Sequence, residues 1–80
     1  MHSKLGRRLL ERGDVEPAIV EFQAAIALGA VNPAEAHTDL AEALLKTGRK
    51  DDARREALLA LKEAPTFARA QDVLIAASAR

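Results

Sequence analysis

Two histidines, His2 and His37, stand 35 residues apart in a chain of 80 residues. Imidazole is a common zinc ligand and the side chain that exchanges a proton most readily near neutral pH. A zinc site needs three or four ligands at defined spacing. This chain has no cysteine and places no third ligand at such a spacing. His2 and His37 are therefore expected to fill a polar place between helices, and no metal or cofactor is expected. No Ser–His–Asp arrangement, glycine-rich phosphate loop or isolated carboxylate pair suggests catalysis. The only aromatic side chains, Phe22 and Phe67, are expected to pack, not to stack on a ligand.

Composition excludes several classes. Twelve basic residues balance twelve acidic ones, so the chain lacks the broad positive field of a nucleic-acid binder. No apolar run approaches the roughly 18 residues of a membrane span, and no signal-like segment follows Met1. The chain is expected to be soluble, and cytoplasmic if this is the whole protein. Without cysteine, no disulfide can hold the fold together. Alanine, leucine, glutamate, arginine and lysine dominate, the residues that lose least on entering a helix.

These residues are organised by an internal period. Sliding the sequence by 35 pairs Leu5 with Leu40, Leu9 with Leu44, Gly13 with Gly48, Ala18 with Ala53, Glu21 with Glu56 and Ala25 with Ala60. A slide of 34 carries Ala36 to Ala70, His37 to Gln71 and Leu40 to Leu74. Two full units and the first helix of a third result, in one domain over 1–80, divided as 1–32, 33–67 and 68–80.

Each unit splits into two helices. Leu5 and Leu9 form an apolar stripe on the first, and Gly13 or Gly48 ends it. Asp14 suits an N-cap for the second helix, which places Ala18, Phe22, Ala25 and Ile26 on one face. Asn32, Pro33 and Glu35 read as cap, first helical position and capping box of the next unit. The spacing predicts helices over 3–12, 15–28, 33–47, 50–63 and 66–79. Small residues at 18, 25, 53 and 60 should let paired helices close to about 8–10 Å. Ala25→Leu should then overpack that contact by about 1–3 kcal/mol.

Leu5, Gly6, Leu9, Gly13, Ala18, Phe22 and Ala25 in the first unit, with Leu40, Ala41, Leu44, Gly48, Ala53, Ala60 and Pro65 in the second, resemble the tetratricopeptide repeat pattern. Ala70 and Leu74 begin a third copy. The usual tryptophan is replaced by His2, His37 and Gln71, and the Leu28–Pro33 turn carries one extra residue. A pentatricopeptide-like, RNA-binding reading is a minor alternative, opposed by the neutral charge and by Glu35, Asp39 and Glu42.

The resemblance implies an all-α, right-handed solenoid of five helices whose first helices line a concave groove for a peptide or partner helix. Mapped by spacing, the groove residues would be Lys4, Arg7, Leu10 and Glu11, then Glu35, Thr38, Asp39, Glu42 and Lys46, then Arg69 and Asp72. The groove would run from basic through acidic to mixed, favouring a ligand of complementary charge order. A carboxylate clamp of the kind that grips chaperone C-termini is not expected, because Asp39 would repel the carboxylate. Glu42 and Lys46, at i,i+4, are expected to pair. Val73 and Ile75 on the last helix are candidates for self-association, making a homodimer or interdomain packing the alternative function. No nucleic acid or membrane partner is expected.

Overall fold

The computed structural model describes residues 2–79, and of these the side chain of His2 lies outside the description. Five helices follow one another: α1 (His2–Glu11), α2 (Val15–Ala27), α3 (Pro33–Lys46), α4 (Lys50–Glu63) and α5 (Ala68–Ser78). Among the described residues there is no strand. Each helix packs on the next, and α3 also touches α1 and α5.

The two repeat turns close alike. At the first, Gly13 N–H donates to Leu10 and Asp14 N–H to Leu9, at 3.1 and 2.8 Å. At the second, Gly48 N–H donates to Leu45 and Arg49 N–H to Leu44, both at 3.0 Å. This crossed pair satisfies the orphan carbonyls of a helix end and requires a left-handed residue. Gly13 and Gly48 supply it with φ of 88° and 80°. Glycine is the residue that enters this region without a Cβ clash.

The caps follow the expectation only in part. Asn32 accepts from Glu35 N–H at 3.2 Å and Pro33 opens α3. Glu35 does not return a bond to the Asn32 backbone. Its Oε2 accepts from the Asn32 amide at 3.4 Å, and its Oε1 is drawn to Arg7. Asp14 occupies the N-cap place of α2, but its carboxylate makes no capping bond and lies 3.7 Å from Arg12. The last helix starts at Ala68, two residues later than predicted, with Phe67 extended before it.

The core is aliphatic and thin. Ala18, Ile19 and Phe22 of α2 meet Leu40, Ala43 and Leu44 of α3, with Ala53 and Ala77 closing the cluster. A second cluster joins Ala41, Ala57 and Val73 across α3, α4 and α5. Ala18, Ala53 and Ala60 are fully buried, as the small-residue argument requires. Ala25 is also buried, at 9% exposure, and borders an open cleft of about 340 Å³ beside the α2–α3 turn. Leu5 also departs from its repeat partner: Leu40 is buried at 5% exposure among side chains of α2 and α4, while Leu5 is 48% exposed and outside both core clusters.

Candidate functional site

The first helices of the units, α1, α3 and α5, lie side by side because α3 touches both of the others. Charged residues at facing positions on these three helices do not stand apart; they pair in a ladder. Arg7 of α1 donates through Nη2 to Glu35 at 2.7 Å and to Asp39 at 3.2 Å, and through Nε to Asp39 at 3.5 Å. Arg69 of α5 donates through Nη2 to the same Asp39 oxygen at 2.9 Å and to Glu42 at 2.6 Å. Its Nε adds a second bond to Glu42 at 3.2 Å. The order across the face is Glu35, Arg7, Asp39, Arg69, Glu42, alternating in sign.

Asp39 is the centre of this ladder. Its side chain is 4% exposed, whereas Arg7 and Arg69 remain 46% and 37% exposed. A buried carboxylate is tolerable only when charged donors replace water. Two guanidiniums do so here. Burial by itself lowers the Arg69 pKa, but the hydrogen bonds and charges of Asp39 and Glu42 outweigh it and raise the pKa above the ordinary arginine value. Arg69 therefore stays cationic wherever the chain is folded. It also sits 5.9 Å over the Phe67 ring, a cation–π distance that fixes its aim.

The residues expected in the groove separate into three groups. Arg7, Glu35, Glu42 and Arg69 meet in the ladder, and Glu42 is bonded to Arg69 across helices, not to Lys46 along its own. Lys4, Glu11, Lys46 and Asp72 are exposed beside it. Thr38 and Asp39 are not groove surface, at 0% and 3% exposure. The Thr38 hydroxyl donates to the Ala34 carbonyl at 2.7 Å inside the fold. Leu10 is half-buried and packs on the first core cluster. Val73 is likewise corrected: it is 6% exposed and packed with Ala41 and Ala57, whereas Ile75 is 69% exposed.

One pair escaped the sequence reading. His37 Nδ1 lies 2.7 Å from Glu56 Oε1, joining α3 to α4 with side chains 18% and 19% exposed. A carboxylate only accepts, so Nδ1 carries the proton and donates. The signal was present, because His2 and Glu21 repeat the same 19-residue spacing in the first unit. The His2 side chain lies outside the described residues. Among the described residues no group of three or more His, Cys, Asp or Glu is placed to hold a metal ion. No helix among them is long and apolar enough to cross a membrane.

This helix–turn–helix architecture, with glycine closing each turn and small residues between paired helices, defines an α-helical repeat protein. The family model for the tetratricopeptide repeat matches residues 9–76, and the chain belongs to that family. Comparisons with curated proteins and with solved structures return no significant match. Tetratricopeptide repeats in general mediate protein–protein interaction.

Proposed function

We propose that the chain is a non-catalytic protein-interaction module that receives a peptide or a helix of another protein along the face of α1, α3 and α5. The observation that carries this reading is the ladder through Asp39. It ties three helices into one face while leaving Arg7 and Arg69 about half exposed, with N–H groups held in place for a ligand. Donors fixed before binding lose little entropy when a ligand arrives. The exposed charges at the margin, Lys4, Glu11, Lys46 and Asp72, would then set orientation and on-rate. Because the ladder neutralises most of its own charge, recognition relies less on an ordered run of ligand charges than the sequence suggested. Backbone carbonyls, which bring no further negative charge to the three carboxylates of the ladder, are the groups that fit Arg7 and Arg69.

The test is a peptide-display selection on the full chain, followed by amide chemical-shift mapping of the best binder. Shifts should concentrate on α1, α3 and α5. Lys46→Glu and Asp72→Lys should each weaken binding several-fold, because single rim charges act chiefly on association, and neither should change the melting temperature. Shifts confined to α2 and α4, with both variants binding as the parent does, would defeat the proposal.

A further inference from the structure

The turn between α2 and α3 is built unlike the turn between α4 and α5. It spans 28–32, one residue more than 64–67. Gly29 carries it through the left-handed region at a φ of 80°, where the repeat partner Ala64 has a φ of −140°. Beside this longer turn lies the open cleft of about 340 Å³. Ala25, Leu28, Val31 and Ala36 supply its apolar lining, and Glu35 and Asp39 supply carboxylates. Leu28 and Val31 are 73% and 104% exposed, so much of the apolar lining meets solvent. Through Glu35 and Asp39 the cleft is continuous with the ladder on α1, α3 and α5.

Charge in that ladder does not balance. Its three carboxylates meet two guanidiniums, which leaves one negative charge in excess. Of the two carboxylates at the cleft, Asp39 is buried and shared by both arginines, whereas the Glu35 side chain is 43% exposed. Glu35 Oε1 is taken by Arg7 at 2.7 Å. Its Oε2 has only the neutral Asn32 amide, at 3.4 Å. One carboxylate oxygen at the mouth of an apolar cleft is thus left without a cation.

We infer that the cleft receives a lysine side chain of the polypeptide docked on this face, an inference that rests on reading α1, α3 and α5 as the docking surface. The methylene stem lies on Leu28 and Val31, and the ammonium meets Glu35 Oε2. Long cationic side chains suit such a place because they bury their stems and keep their heads in water. The added cation continues the alternation of sign by one step and cancels the excess charge. Lysine fits better than arginine. A guanidinium pairs best with both oxygens of a carboxylate, and Arg7 already holds one of them. A compact ammonium needs only the other.

The probes are three blocked pentapeptides, Ala-Ala-X-Ala-Ala with lysine, norleucine or arginine at X, titrated into the full chain and followed by amide chemical shifts. The lysine peptide should give saturable shifts at 28–32 and at Glu35. Norleucine keeps the stem without the charge, and both it and arginine should bind several-fold more weakly. Val31→Ser and Glu35→Gln should each weaken the lysine peptide several-fold, while melts of both variants stay close to the parent. No saturable shift at 28–32 overturns the proposal, and so does norleucine or arginine binding as well as lysine. The face itself is decided separately. A display-selected peptide that shifts α1, α3 and α5 but leaves 28–32 unmoved removes the lysine cleft and keeps the face. Selected peptides confined to α2 and α4 remove the face, and with it the docked chain that would bring the lysine.

Discussion

At the scale of single residues, Asp39 and Glu35 answer the same arginine from different environments and should differ in weight. Replacing Asp39 by alanine leaves two partly exposed guanidiniums without the buried acceptor they share. Hydrogen bonds to charged groups contribute about 1.5–3 kcal/mol each way of counting. Since both arginines keep a glutamate, Asp39→Ala should cost about 2–3 kcal/mol in denaturant unfolding. Glu35→Ala removes a half-exposed partner and should cost about 0.5 kcal/mol or less. Equal costs would show that Asp39 is not the centre of the ladder. For His37 and Glu56, a double-mutant cycle to alanine should give a coupling of about 0.5–1.5 kcal/mol. The ladder was only half legible from sequence. Opposite signs on neighbouring first helices were visible at Arg7 and Asp39, and reading them as ligand contacts overlooked that the helices approach closely enough to satisfy each other.

At the scale of the helices, glycine acts in two opposite ways. Gly48 serves its φ of 80°, with nothing within 4 Å of an added Cβ. Gly48→Ala should therefore cost about 1–2 kcal/mol through backbone strain alone. Gly6 is helical and serves closeness. Gly6→Ala gains about 1 kcal/mol of helix propensity but drives a methyl into Phe22. The net should still be a loss of about 1 kcal/mol, and Phe22→Leu in the same chain should relieve it. If Gly6→Ala raises the melting temperature, the α1–α2 contact is looser than described. Helix positions were legible within one residue at every end but one, because glycine and proline punctuate the period. The start of α5 was not: Thr66 and Phe67 read as the first helical residues, but Phe67 stays extended, its N–H bonded to the Ala64 carbonyl at 3.0 Å.

At the scale of the whole chain, coverage from either side decides what is buried. Leu5 and Ile75 carry large side chains at places that are buried in the middle unit, and both are exposed because none of the five helices covers them. Sequence spacing alone cannot express this, since it assigns Leu5 and Leu40 the same environment. It also could not separate Val73 from Ile75. Two positions apart on a helix, they lie some 200° around the axis from each other, and the nearness of α3 and α4 decides which is covered. Removing residues 66–80 should expose Ala41 and Ala57 and strip Asp39 of Arg69. That truncation should abolish cooperative unfolding or lower the midpoint severely, because units of this kind are stable only through their neighbours. A truncated chain that unfolds as sharply as the parent would place α5 outside the cooperative unit.

The helix contacts described above also set how the chain acquires its shape. Every packed pair joins consecutive helices or helices one apart, and α3 takes part in four of the six. Contacts so near in sequence require closing only short loops, which predicts folding in the microsecond to millisecond range. Assembly can begin with α3 and α4 and spread outward, so loss of structure should run the other way. Amide protons should then exchange slowest in α3 and fastest in α1, giving a gradient of local opening along the chain under native conditions. The helix α1, which packs on α2 and only lightly on α3, would come and go many times in the life of a molecule whose centre remains closed.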